Sequence, residues 1–127
     1  MAAAGLRRLG LASRIASLLD PEECLPAAGQ GALALECRAD RDATLATTAE
    51  RAFARALSGS CHTPIAAHAI FRHGELWLRG LLASERSTEV MRGEKSANVV
   101  DEQGADALGR ALGEDFLARG AHRLVAE

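Results

Sequence analysis

The sequence predicts an α+β fold, a three-stranded antiparallel sheet with helices on one face, preceded by a fragment of an α/β domain. Three observations predict it. From residue 44 onward the hydrophobic pattern runs helix, strand, strand, strand, helix. The first two strands are separated only by the turn signal Arg72-His73-Gly74, which makes them a hairpin. Before residue 40 stands one short run, residues 32–37, that is apolar on both faces like a strand of a parallel sheet yet has no companion strand beside it. On this division, residues 1–42 are the end of an incomplete domain plus a crossover segment, and residues 43–127 are a C-terminal unit able to close its own core.

Residues 2–9 read as the end of a helix stopped by Gly10. Leu11, Ile15, Leu18 and Leu19 then recur at helical spacings, which predicts a second amphipathic helix reaching Leu19; Asp20-Pro21-Glu22 ends it because proline cannot continue the hydrogen-bond ladder. Residues 1–19 carry arginines and serines and no acid, as an organelle transit peptide would, but the leucine spacing favours a helix and the arginines interrupt any secretory apolar run. Pro26-Ala27-Ala28-Gly29-Gln30-Gly31 is a loop feeding the 32–37 strand.

Asp42 or Thr44 is placed to cap a helix running to about Leu57, with Ala46, Ala49, Phe53 and Leu57 on its inner stripe and Ser58-Gly59 as its stop. Residues 65–71 and 75–83 are strands; in the second, Leu76, Leu78 and Leu82 share one face and Trp77, Arg79 and Leu81 the other. Residues 89–95 form a weaker third strand. Asp101 starts a last helix with Ala105, Leu108, Leu112 and Phe116 on one face, and Gly120 ends it. Gly104, Gly109 and Gly113 each cost that helix up to about 1 kcal/mol relative to alanine, so packing against the sheet must hold it. Arg123-Leu124-Val125 is expected to add an edge strand.

A chain of 127 residues, 48% hydrophobic and 25% charged, is large enough for one core. Its formal charge of -2 is too weak to gather nucleic acid or anionic lipid, and no stretch interleaves basic and aromatic residues. No apolar run approaches the roughly 20 residues of a membrane-spanning helix. Cys24, Cys37 and Cys61 are odd in number and match neither a disulfide framework nor a zinc knuckle, which points to a reducing, cytoplasmic setting.

Cys61 lies in Ser58-Gly59-Ser60-Cys61-His62-Thr63-Pro64, between a helix stop and a strand, with small residues before it and a proline after it. A thiol there is reachable. The thiolate is the reactive form, and an unassisted cysteine titrates near ~8.5; only His62 offers local help. The competing reading of a lone cysteine is a small buried hydrophobe, and Cys24 and Cys37 are assigned to that class, Cys37 because it alternates with Leu33 and Leu35. A zinc site from Cys61, His62, His68 and His73 lacks paired ligand spacing, and nothing compels His122 to act as base to a cysteine nucleophile. Gly29-Gln30-Gly31 lacks the rest of a phosphate-binding motif and reads as a tight backbone crossing. Glu36 with Arg38, and Glu50 with Arg51 and Arg55, read as solvated faces.

Several segments taken together resemble one family. Ala4-Gly5-Leu6-Arg7-Arg8-Leu9-Gly10, Leu25-Pro26-Ala27-Ala28-Gly29-Gln30-Gly31-Ala32-Leu33-Ala34-Leu35-Glu36-Cys37-Arg38, Ala49-Glu50-Arg51-Ala52-Phe53 and Gly59-Ser60-Cys61-His62-Thr63-Pro64-Ile65-Ala66-Ala67-His68-Ala69 stand in the order found in the second half of hydroxymethylbilane synthases, or porphobilinogen deaminases. The resemblance implies that residues up to about Leu19 end the family's second domain, that residues 25–38 cross back to the first, and that residues 44–127 form the third. It implies that Cys61 is the thiol bonded through a thioether to a dipyrromethane cofactor. That cofactor primes a transferase of tetrapyrrole (heme) biosynthesis, which adds porphobilinogen units with loss of ammonia and releases hydroxymethylbilane.

The same resemblance implies a growing porphobilinogen-derived pyrrole chain as ligand. It also implies that the catalytic aspartate and the substrate-binding arginines lie upstream of the matched segments. A separate N-terminal part is then a possible partner, and the 127 residues alone are expected to be inactive. Residues 39–45 are shorter than the family's usual connection, and His62-Thr63 stands where Gln-Val is commoner. Two other classes stay open at this stage: a non-catalytic domain completing a separate N-terminal part, and a small thiol- or metal-binding module.

Overall fold

The computed structural model describes residues 3–29, 41–57, 64–84 and 87–125. Their elements are α1 (Ala3–Arg8), a 3-10 turn (Ala12–Arg14), α2 (Arg41–Ala56), β1 (Ile65–Arg72), β2 (Glu75–Ala83), β3 (Val90–Ala97), α3 (Glu102–Ala118) and α4 (His122–Val125). The sheet is antiparallel in the order β1-β2-β3, as the sequence predicts.

The hairpin turn is two residues long. His73 and Gly74 both adopt positive φ, 51° and 85°, the conformation in which a two-residue turn matches the right-handed twist of its strands. Arg72 pairs with Glu75 at the turn, and the register carries Ala69 opposite Leu78 and Ala67 opposite Gly80. Leu76, Leu78 and Leu82 therefore point to the helix side and are fully buried. β3 runs two residues beyond its expected end, because β2 continues to offer partners: Ser96 pairs with Trp77 and Ala97 with Leu76.

The helices make one layer over the sheet by packing tightly on each other. Gly109 and Gly113 of α3 face Ala49, Ala52 and Ala56 of α2; a methyl group added at Gly109 would stand 2.6 Å from the Ala52 Cβ and closer still to the Ala49 carbonyl oxygen. α3 does pack on the sheet, its Leu112 and Phe116 lying over Gly93 of β3, and Gly109 and Gly113 add a role the sequence did not suggest, as the seats for α2. Beneath this contact Phe53 and Phe116 meet edge to face, 5.0 Å apart at 81°, an arrangement favoured by the ring quadrupoles. Asp101 caps α3, its carboxylate accepting from the Gly104 amide at 2.8 Å.

Three further expectations change. α2 begins at Arg41, so Asp42 lies in its first turn rather than capping it, where its charge still suits the helix dipole. The second amphipathic helix does not form: residues 15–20 have no regular structure, and Leu18 and Leu19 are exposed. Among the described residues no layer faces that stripe, and a short helix without tertiary burial is marginal. Residues 123–125 form α4 instead of an edge strand, closed by Arg123 and Leu124 amides on the Gly120 and Ala121 carbonyls. Across the same region Arg119 donates to the Arg92 carbonyl of β3 at 2.9 Å. The expected strand at 32–37 and the Ser58-Gly59 stop lie outside the described residues.

Candidate functional site

Cys61 lies outside the described residues, and the structure defines the two ends between which it falls. Leu57, just past α2, is buried in the core. Pro64, just before β1, accepts from the Ala83 amide at 3.0 Å, which holds it against the end of β2. The cysteine segment is thus strung between the last turn of α2 and the first residue of β1, both anchored in the closed unit. Cys37, Arg38 and His62 also lie outside the described residues.

Cys24 is exposed, which corrects its assignment as a small buried hydrophobe. It falls in the turn at residues 21–24, where no helix or strand surrounds it. The thiol borders a hollow of about 770 Å³ between residues 21–25 and the uncovered face of the sheet, where Arg79, Leu81, Arg92 and Glu94 form the opposite wall. Arg79 is the most enclosed of the three charged residues: its side chain is 12% exposed, one terminal nitrogen meets Glu22 at 2.9 Å, and the guanidinium lies 4.3 Å above the Trp77 ring. Its Nε has no hydrogen-bond partner among the described residues. Arg72 covers the same indole at 4.4 Å, so Trp77 carries two cation-π contacts on the sheet's open side.

Of the residues considered as zinc ligands, His68 and His73 are described, and His122 is the one considered as a base. His68 is central in β1 opposite Arg79, His73 sits in the hairpin turn, and His122 starts α4. Among the described residues no group of three histidine, cysteine, aspartate or glutamate side chains is placed to hold a metal ion. Arg55 behaves as a surface residue, pairing with Asp106 of α3 at 2.7 Å.

Glu50 departs from its expected place on a solvated face: it is 7% exposed. Its Oε1 accepts from the Ala69 amide at 2.8 Å and its Oε2 from the Gly29 amide at 2.7 Å. The His68 Nδ1 is 3.9 Å from Oε1. The sequence carried a signal for this, since Glu50 follows Ala46 by four residues and precedes Phe53 by three, a charge set within the apolar stripe.

Known proteins bear on both halves of the chain. A family model described as "Porphobilinogen deaminase, C-terminal domain" matches residues 44–118, the span from α2 through α3. A second, described as "Porphobilinogen deaminase, dipyromethane cofactor binding domain", matches residues 1–46. The porphobilinogen deaminase of Burkholderia orbicola (strain MC0-3) is 46% identical over 98% of this chain and 41% of its own length. Those of Burkholderia vietnamiensis (strain G4 / LMG 22486) and Paraburkholderia phytofirmans (strain DSM 17436 / LMG 22146 / PsJN) are 44% and 46% identical over the same share of this chain. The chain spans about two fifths of the length of these relatives. An unrelated thiol or metal module has no support beside such agreement. With one model covering α2 through α3, the other covering what precedes them, and relatives matching nearly every residue, the chain belongs to the porphobilinogen deaminase family.

Proposed function

We propose that this chain is the C-terminal part of a cytoplasmic hydroxymethylbilane synthase and that Cys61 carries the dipyrromethane cofactor as a thioether. The observation that carries the reading is the match of residues 44–118 to the family's C-terminal domain, within which Cys61 is the one cysteine. A thioether needs a single reachable thiol, so the donor chemistry fits. Cys24, which is exposed, and Cys37 lie in the segment matched by the model whose description names the cofactor, so the choice of Cys61 among the three thiols rests on the resemblance of the Gly59-Ser60-Cys61-His62-Thr63-Pro64 segment to the family's cofactor loop.

Bound at Cys61, the cofactor would supply a primer for porphobilinogen units. Where a cysteine thiol condenses with the aminomethyl carbon of porphobilinogen, a carbon–sulfur bond replaces the carbon–nitrogen bond, and the thiol proton leaves with the amine as ammonia. This chain's part is to hold the sulfur on a short tether between two anchored elements. Neutralising the carboxylates of a lengthening pyrrole chain needs several charge-assisted, often bidentate contacts. Those fall to an upstream part of the protein, so a polypeptide of these 127 residues is expected to show no porphobilinogen turnover.

Intact mass tests the assignment, on this chain produced with the upstream part of a relative in a porphobilinogen-producing host. A dipyrromethane mass is expected on the parent chain and on Cys24→Ser and Cys37→Ser, and no such mass on Cys61→Ser. An adduct that survives Cys61→Ser, or an unmodified parent chain, overturns it. Limited alkylation with peptide mapping gives a second check: Cys24 and Cys61 should label before Cys37.

A further inference from the structure

We propose that Glu50 is a positioning residue that latches residues 26–29 onto the free edge of β1. Among the described residues β1 pairs as a strand with β2 alone, so the amides along its other edge need acceptors. The Ala67 amide finds the Pro26 carbonyl at 3.2 Å, and Ala27 bridges antiparallel to Ala66. The next edge amide, that of Ala69, finds Glu50 Oε1 instead, while Oε2 takes the Gly29 amide. Residues 26–29 therefore meet this edge through a single bridge before turning away, and the carboxylate finishes what the main chain leaves open.

Hydrogen bonds to an ionised acceptor are roughly twice as strong as neutral ones, and this acceptor serves two otherwise unrelated segments in a buried setting. Because Glu50 rides on α2, which starts at Arg41, and holds Gly29, it fixes both ends of the stretch 30–40 to each other. In a porphobilinogen deaminase this sets where the crossover segment leaves the cofactor-carrying unit. Only that consequence rests on the family reading; the latch itself is measured without turnover.

Residue-resolved amide exchange on Glu50→Gln is the test. Glutamine keeps one carbonyl oxygen but turns an amino group toward the second amide. The reporter is the Ala67 amide, which is bonded to Pro26 and not to Glu50. It should exchange about tenfold faster or more, while the Ala121 amide, bonded to the Phe116 carbonyl, keeps its protection. Glu50→Asp keeps the charge but shortens its reach by one methylene, so that it cannot hold both amides, and should free Ala67 in the same way, which gives an answer even where Glu50→Gln fails to fold. Unchanged protection of Ala67, or equal losses at Ala67 and Ala121, would overturn the latch.

Discussion

Leucines fill both ends of the molecule, with different fates. Leu57, Leu76, Leu78, Leu82 and Leu112 are at most 2% exposed, whereas Leu9, Leu18 and Leu19 are between 61% and 74% exposed. The residue type is the same and the spacing is helical or strand-like in both regions. What differs is the presence of a facing layer: α2 and α3 cover the sheet and lock on each other, whereas among the described residues no helix or sheet layer covers Leu9, Leu18 and Leu19. Residues 22–29 are tied to the unit more firmly than the isolated 32–37 run suggested, through Arg79, Ala67 and Glu50, yet those ties are polar and lie at an edge. An apolar stripe stabilises a fold by leaving water, and a stripe without a partner contributes little.

The strongest way to break the comparison is to hollow out the covered region. Phe53→Ala should cost about 3 to 5 kcal/mol, because Phe53 is fully buried against Phe116 and under the sheet. Denaturant unfolding followed by circular dichroism measures it, and a loss below about 1 kcal/mol would mean that the two layers are not closed.

Gly109→Ala sharpens the point, because propensity and packing oppose each other there. Alanine favours a helix over glycine by about 1 kcal/mol. The added methyl group meets α2 backbone, which cannot move aside as a flexible side chain would, so a net loss of about 1 to 3 kcal/mol is expected. A stabilised variant would show that the helices are not in contact at this point.

Asp101→Ala should cost about 0.5 to 2 kcal/mol by removing the α3 cap, and the same unfolding curve reads it. At the small end, Leu18→Ser and Leu19→Ser should change stability by no more than about 0.5 kcal/mol each. A loss well above that would place these leucines inside a core and erase the contrast between the two regions.

The strands, the hairpin and the inner faces of both long helices were legible because each carries a period of its own, such as Leu76, Leu78 and Leu82 along β2. Cys61 was legible only through its neighbours in a longer resemblance, since a thiol beside His62 signals access and little more. Glu50 was misplaced because charge was read as exposure, although its position in the Ala46-Phe53-Leu57 stripe implied burial. The helix expected up to Leu19 was over-read for the opposite reason: its periodicity is real, and periodicity is not burial.

What the sequence determined by itself is local: where the chain turns, which faces of α2, β2 and α3 are apolar, and where Asp101 caps a helix. These follow from backbone sterics and side-chain spacing within a few residues. Tertiary structure alone decided which stripe is covered, that Gly109 and Gly113 seat α2, and that Glu50 reaches two distant amides. Each of these depends on residues far apart in the chain meeting at contact distance, and no pattern confined to one segment encodes the surface that will face it.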